Sequence, residues 1–500
     1  MQDIKNVIDI AKQTEPTIFT DEQLLIINEL IKYQDYYENK SFNYIVEKFP
    51  EYRQGGSGKD YRPAQVPFNY AKFIVDKLAA WQFEESIDFN CTSEGAQNRA
   101  DEIEADLYDI HQKNKMDIKL LQSAVESNIS GGVTFKLKWD EVKKYPRILI
   151  RNRIETFVIT EFDDYEEIVR VHFIAFEDEK TIWKQTYEMV NGICYILEAI
   201  YDVQNIKVPK EIIIPYQKLG VNNKWFDFMP VYIVSNLAQL GEVWGPSELR
   251  DLIPIIDEIN KKYSDLSDSL KFDMFAITVF LNAKIPTGPD GKQKLIGRAG
   301  AAWKLVTDGP IDNVRPEVFK LQSEFQYIDP LKYYIESLIS ALFKFSECID
   351  ISPQVITGLP ALSGIALKLL FAAIISKTNR KNTAWKEKLV EIYMGTLKLK
   401  QIYEGYDIPE DLTIEIITHI PMPANELEEI QVISAKLADS LISVTTAMNS
   451  IGIQDPEAEI AKIIEERIKY DKALNLDQID NPTINKSGNP NNSSIDNQNI

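Results

Sequence analysis

Three cysteines and three histidines in 500 residues leave little material for metal or redox chemistry. Cys91, Cys194 and Cys348, with His111, His172 and His419, fall in no C-x-x-C or H-x-x-x-H spacing, so no zinc site is readable and the thiols read as reduced, as in the cytosol. Long apolar runs are also missing. Residues 272–281 and 364–376 fall short of the roughly 18 a membrane span needs, and the second run contains Lys368, so no membrane partner is expected. The first six residues show no basic region leading into an apolar core, and no secretory signal is expected. Basic charge is scarce beside acidic: 55 Lys and Arg against 76 Asp and Glu give a net charge of −21, which argues against a broad phosphate-gripping face. No Gly-x-Ser-x-Gly elbow occurs. The stretch Gly55-Gly56-Ser57-Gly58-Lys59 fails as a phosphate loop, because Arg53 stands where the first glycine belongs and Asp60 where Ser or Thr belongs. These absences disfavour an enzyme, and no cofactor or metal is expected.

What is present is a hydrophobic fraction of 44%, ordinary for a globular chain of two to four domains. Residues 21–49 place Leu24, Leu25, Ile27, Leu30 and Ile31 on one helical face, and residues 98–127 read as a charged helix. At Gly131-Gly132 the period changes to two. Residues 133–139, 147–151, 156–160, 168–176, 181–189 and 192–200 read as strands of an antiparallel β-rich subdomain reaching Pro230. The carboxylates Glu161, Asp163, Asp164, Glu166 and Glu167 between two of them read as a solvated turn rather than as metal ligands or an acid and base pair.

A helix is expected from Trp244 with Pro246 at its first position and a kink at Pro254; it carries Asp257 and Asn260. A turn at Thr287 to Gly291 and basic-tinged strands with Lys292, Lys294, Arg298 and Lys304 come next. Asp329 as N-cap and Pro330 then open a helix with Leu331, Tyr334, Ile335, Leu338, Leu342 and Phe345 on one face. After Asp350 the pattern breaks into Ile351, Ser352, Pro353, Gln354, Val355, Ile356, Thr357, Gly358, Leu359, Pro360, Ala361 and Leu362. Four Gly and Pro residues, counting Gly364, punctuate this apolar loop, which looks built to move. From Ser363 to Tyr403 a proline-free helical pattern continues for about 41 residues, roughly 60 Å of rod, with a kink expected in the poor helix formers of residues 378–383. A strand at 412–417 precedes a helix capped by Asn425 with Glu428 three residues on and a buried face of Ile430, Ile433, Leu437 and Leu441. A last helix carries Ile460, Ile463, Ile464 and Ile468 from Asp455-Pro456 onward, and from Leu476 the composition reads as disordered.

The run Gly358, Ser363-Gly364-Ile365-Ala366-Leu367-Lys368, set between a helix and a long helix, resembles the tunnel-loop region of portal proteins of tailed double-stranded DNA bacteriophages, siphophage type. The Gly-x-Ser start at Gly245 with Asp257, Asn260 and Ser264-Asp265 is similar to that family's first stem helix, and Asn69-Tyr70 ahead of Ile74-Val75-Asp76 falls in the family's order. The resemblance implies an α+β portal fold: wing 1–243 with the β-rich subdomain, first stem helix 244–271, clip 272–328, second stem helix 329–350, tunnel loop 351–362, long kinked helix and return to the wing 363–423, helical crown 424–475 and disordered tail 476–500. It also implies a homo-oligomeric ring of about twelve subunits at a capsid vertex of the virion. Duplex DNA would pass through it past the tunnel loop, and the clip residues Lys292, Lys294, Arg298 and Lys304 would meet the terminase large subunit and then the head–tail connector, with capsid and scaffolding proteins as further partners. The alternative is a soluble acidic helical scaffold without a DNA channel. Glu248, Asp251, Asp257, Glu258, Asp265 and Asp268 on the first stem helix are expected to form a wall repulsive to DNA. Lys368, Lys377, Arg380, Lys381, Lys386, Lys388, Lys398 and Lys400 on the long helix are expected to pair with neighbouring carboxylates rather than hold a duplex.

Overall fold

Local capping explains where the first helices begin. α1 (Asp21–Tyr37) opens on a capping box: the Gln23 amide donates to the Thr20 hydroxyl and the Thr20 amide to the Gln23 side chain. α2 (Phe42–Lys48) follows, then α3 (Tyr70–Phe83), whose first turn is capped by Asn69 accepting from the Lys72 amide. The computed structural model describes residues 19–53, 62–178, 180–203, 205–274, 277–281, 283–284, 306–307, 317–321, 328–350, 369–421, 426–453 and 456–479. Beyond α3 come β1 (Asp88–Thr92), α4 (Gln97–Lys113) and α5 (Met116–Ser130). α5 stops at Gly131, whose φ of 85° is left-handed and whose added Cβ would stand 2.0 Å from the Gly245 carbonyl oxygen, so only glycine fits.

The switch to a period of two at Gly132 becomes two antiparallel sheets, as the alternation predicts. β2 (Gly132–Asp140) and β3 (Tyr145–Asn152) pair as a hairpin, and β11 (Val231–Ser235) returns to the other edge of β2, giving the order β11-β2-β3. β4 (Thr156–Thr160), β5 (Ile168–Phe176), β6 (Thr181–Val190), β7 (Ile193–Asp202) and β8 (Asn205–Lys218) form a five-stranded meander in sequence order, followed by the small β9 (Gly220–Val221) and β10 (Lys224–Trp225) pair. The six expected strands fall where the alternation puts them. β8 escapes that reading, because Pro209 and Pro215 argue against a strand anywhere but at an edge, and the edge is where it lies.

α6 (Ile253–Met274) starts later than the sequence suggests. Residues 248–252 are turns, so Pro254 occupies the second helical position, where its missing N–H costs nothing and the expected kink is not imposed. β12 (Ile277–Leu281), β13 (Ala283–Lys284), β14 (Val306–Thr307) and β15 (Glu317–Leu321) pair as β12-β15 and β13-β14. α7 (Ile328–Ser346) packs on α6, and α8 (Ala372–Glu404) is assigned as helix through all 33 residues, the stretch 378–383 included. The poor helix formers there are held by burial and bonding of Lys377, Thr378, Lys381 and Asn382 rather than by propensity. α8 is the spine of the main core. Trp385 meets Phe83 and Phe135 at ring-centroid distances of 4.9 and 6.1 Å, and Tyr403 stacks on Trp139 at 4.9 Å. Gly395 brings the helix onto the sheet: a Cβ there would lie 2.3 Å from the Tyr232 hydroxyl and 2.7 Å from Leu137 Cδ1. β16 (Thr413–Ile417) pairs antiparallel with β1.

The chain divides into two units, residues 1–360 with 368–421 and residues 361–367 with 422–500. In the second, α9 (Glu426–Ala438), α10 (Val444–Ser450) and α11 (Pro456–Ile479) pack in succession. The face expected to be buried is not covered there: Ile430, Leu437 and Leu441 are exposed, as are Ile463, Ile464 and Ile468. α11 continues to Ile479, so the first four residues of the expected disordered tail are helical. The cap residue Asn425 and residues 480–500 lie outside the described residues.

Candidate functional site at the ends of residues 351–368

Lys377 and Lys381 are four apart on α8 and therefore share one face of it. Both reach Glu248, in the turns that lead into α6. Lys377 Nζ lies 2.7 Å from Glu248 Oε2 and Lys381 Nζ 2.7 Å from Oε1, with all three side chains buried. The remaining bonding capacity is filled by neighbours. Lys377 donates to the Ser346 carbonyl at the end of α7 (2.9 Å), Lys381 to Asn128 Oδ1 on α5 (2.5 Å), and Asn236 Nδ2 to Glu248 Oε1 (3.1 Å). Burial by itself would raise the Glu248 carboxyl, but the Lys381 and Lys377 ammonium groups outweigh it and hold it down at about 2. Burial pulls the Lys381 ammonium below its usual range even with that carboxylate in contact.

A second, exposed pair repeats the tie. Arg380 Nη2 donates to both carboxylate oxygens of Glu347 at 2.7 Å, and Glu347 ends α7 with a left-handed φ of 58°. Phe371, at the start of α8, is buried and stacks on Trp81 at 5.3 Å. The chain that leaves α7 and the chain that enters α8 are thus bonded to each other and to α5 and the α6 approach. Residues 351–368 run between those two anchored ends.

Asp257 and Asn260, marked in the sequence as motif residues, are buried on α6, and Asn260 opens a ladder. The amides of Phe68, Val66 and Ala64 donate to Asn260 Oδ1 (2.9 Å), Ser264 Oγ (3.1 Å) and Asp268 (2.9 and 3.0 Å). Four helical residues rise about 6 Å and two extended residues about 6.6 Å, so an antiparallel arm and a helix stay in step over three rungs. Pro67 occupies an intervening position and Pro63 the one just before the Ala64 rung, where the ladder asks for no N–H. Asn260 also donates to Ser41 (3.2 Å), the Tyr36 hydroxyl to Asp257 (2.7 Å) and the Tyr52 hydroxyl to Asp265 (2.7 Å). Burial pushes the Asp257 carboxyl up, against the Tyr36 bond. The expected repulsive wall is therefore not a row of free charges, since Glu248, Asp251, Asp257, Glu258, Asp265 and Asp268 all have partners within the subunit.

Much of the basic helix behaves as its place in an acidic chain suggests, although the expected pairing of Lys386 is not seen: it has no ion pair among the described residues. Lys377, Arg380, Lys381, Lys388 and Lys400 pair with Glu248, Glu347, Glu248, Glu391 and Asp106 respectively, and Lys398 lies over the Phe228 ring at 5.1 Å. Loop residues 351–362, the motif residues Ser363, Gly364, Ala366, Leu367 and Lys368, and the basic residues Lys292, Lys294, Arg298 and Lys304 lie outside the described residues. Among the described residues no group of three or more His, Cys, Asp or Glu side chains could hold a metal ion, and no helix is long and apolar enough to cross a membrane. The carboxylates of residues 161–167 are exposed between β4 and β5. Sequence reading missed Glu248 as the shared partner of two lysines more than a hundred residues away. The i, i+4 lysine pair on an otherwise buried helix face was the only local sign of it.

The chain matches the family described as "Phage portal protein, SPP1 Gp6-like" over residues 18–473. No curated protein matches it. Solved structures that it resembles include a chain from the virion of a native gene transfer agent particle, 13% identical, covering 80% of this chain and 96% of that one at a TM-score of 0.41. A chain from the neck of the native particle computed with C12 symmetry is 12% identical and covers 76% and 89% at 0.40. A chain from the neck of the empty particle computed with C6 symmetry is 13% identical and covers 79% and 97% at 0.43.

Proposed function

Because the chain belongs to the SPP1 Gp6-like family of phage portal proteins, we propose that its copies close into a ring of about twelve subunits through heterologous contacts. The ring sits at one capsid vertex of the virion and is the channel for genome packaging and ejection. Residues 351–362 are its mobile DNA-facing loop. The segment bearing Lys292, Lys294, Arg298 and Lys304 docks the terminase large subunit during packaging and the head–tail connector afterwards, and capsid and scaffolding proteins contact the rest. No cofactor takes part.

The observation that supports this reading beyond the family match is the pair of anchors at the loop's ends. A loop that moves against a passing duplex needs fixed ends, and the Glu248 cluster and the Arg380–Glu347 pair supply them. A channel must also let DNA slide, and each neutralised phosphate would add a salt-dependent barrier. The lysines and arginine of α8 that pair inside the subunit are not available for such contacts.

Electron microscopy of the purified chain tests the ring directly: particles with a central hole are expected, and a 57.4 kDa species alone across a wide concentration range overturns it. Gly358→Val is expected to impair packaging and leave assembly intact. Failed assembly would make the loop a structural connector. Isolated rings are expected to bind linear duplex negligibly at physiological salt. Submicromolar affinity whose steep salt slope vanishes on neutralising Arg380 and Lys381 would overturn that account.

A further inference from the structure

β8 is an exposed edge with an unusual composition. It is 14 residues long, closes the five-stranded sheet on one side, and leaves Val208, Ile212 and Ile213 exposed at 62, 55 and 46%. Ile213 falls at a shift in the pairing with β7, between Ile214 opposite Glu198 and Ile212 opposite Ala199, and the strand carries uncovered apolar side chains on both sides of that shift. Lys207, Lys210 and Lys218 against Glu211 make it basic in a chain of charge −21. Pro209 and Pro215 remove two amide donors, and its pairing with β7 shifts register at four places, so it is a poor template for a further strand. A partner must meet its side chains instead.

A surface of opposite character lies in the same unit. A groove of about 820 Å³ runs between the β4–β5 turn, residues 227–243 and the outward side of α8. Its charged lining is Glu166, Glu167, Asp227, Glu242, Glu387 and Glu391 against Lys388 and Lys398. Lys388 is bonded to Glu391, and Glu166, Glu167, Asp227, Glu242 and Glu387 have no ion pair among the described residues. Phe228, Met229, Met394 and the exposed Leu240 supply apolar surface between them.

We propose that β8 of one subunit docks, side chains first, into the acidic groove of a second copy of this chain. The inference rests on the ring reading above and deepens it by naming one pair of surfaces. The two surfaces differ, so the contact is head-to-tail, the kind that closes rings. The lysines steer and fix register, and Val208, Ile212 and Ile213 bury apolar area against the groove's methionines and Phe228.

The test uses the full chain, with oligomers followed by native mass spectrometry across salt concentrations. Lys207→Glu with Lys210→Glu is expected to lower the ring fraction about tenfold or more near 0.15 M salt, with an unchanged thermal transition because both side chains are exposed. Adding Glu242→Lys and Glu387→Lys is expected to restore it. A variant that keeps wild-type rings and salt response overturns the docking and leaves the ring standing, whereas a wild type that stays monomeric overturns the ring itself. Loss without restoration shows that β8 meets another surface and also overturns the docking. Independently of those variants, Ile212→Cys with Met394→Cys treated with a short bis-maleimide is expected to give a ladder of covalent multimers, the native Cys91, Cys194 and Cys348 being buried. Intact rings without the ladder overturn the proposal.

Discussion

Among the described residues, two places bury lysine ammonium groups, and they do so on opposite terms. Beside residues 351–368, Lys377 and Lys381 share the Glu248 carboxylate at 2.7 Å each. On the opposite face of β2 from Trp139, Lys136 is equally buried but has no carboxylate in contact. It donates to Gln185 Oε1 and lies 5.2, 5.8 and 5.7 Å from the Phe173, Trp183 and Tyr187 rings. Amide and ring faces offset desolvation only in part, so burial pulls the Lys136 ammonium down to about 8. The first site ties four segments together and is expensive to break. The second is a seam between two sheets where the charge itself is the weakness.

The largest effect should come from breaking the paired site. Glu248→Ala strands two ammonium groups in the core and is expected to cost about 3–5 kcal/mol in thermal or denaturant unfolding. The pH dependence has a definite sign. Glu248 sits at about 2 in the fold against an ordinary 4.5, so its contribution is whole above 4.5 and is lost as pH falls from there toward 2. Glu248→Ala should flatten the stability profile over that window, and an acid limb unchanged by the substitution would show that other carboxylates set it.

Lys136 should respond the other way. Its position near 8, against an ordinary 10.5, means the unfolded chain holds the proton more readily, so wild-type stability rises from pH 8 to 10.5. At pH 7 the penalty of roughly 3 kcal/mol is complete. Lys136→Met removes it and leaves Gln185 Oε1 without its donor, for a net gain of about 2 kcal/mol at pH 7 that fades as pH rises from 8 toward 10.5. A destabilised Lys136→Met would mean that the ring contacts hold the seam together.

Periodicity made much of this fold readable, because strands 156–160 and 168–176 and the opening of the first helix are written in residues a few positions apart. The basic face of α8 was readable too, as a helix that had to find carboxylates in an acidic chain. What could not be read are the partners: Glu248 for Lys381, the three rings around Lys136, and the arm that uses Asn260, Ser264 and Asp268 as acceptors. Each depends on contacts between residues far apart in sequence, which leave no local pattern. Ile430 and Leu437 failed for a related reason, since periodicity identifies an apolar face without saying which molecule covers it.

The smallest effect provides the uncharged reference for both lysine sites. Ser264 is fully buried, accepts from the Val66 amide at 3.1 Å and donates to the Asn260 carbonyl at 2.7 Å. Ser264→Ala removes one rung while Asn260 and Asp268 still hold the arm on either side, so about 1 kcal/mol should be lost. Neither lost bond involves a charge, and the loss should therefore be the same at pH 4 and pH 9, where Glu248→Ala and Lys136→Met both vary. Hydrogen exchange at the Val66 amide should quicken while exchange along α6 stays slow. If instead the whole arm and α1 exchange faster together, the ladder is one cooperative unit, and a single hydroxyl holds the N-terminal helices to α6.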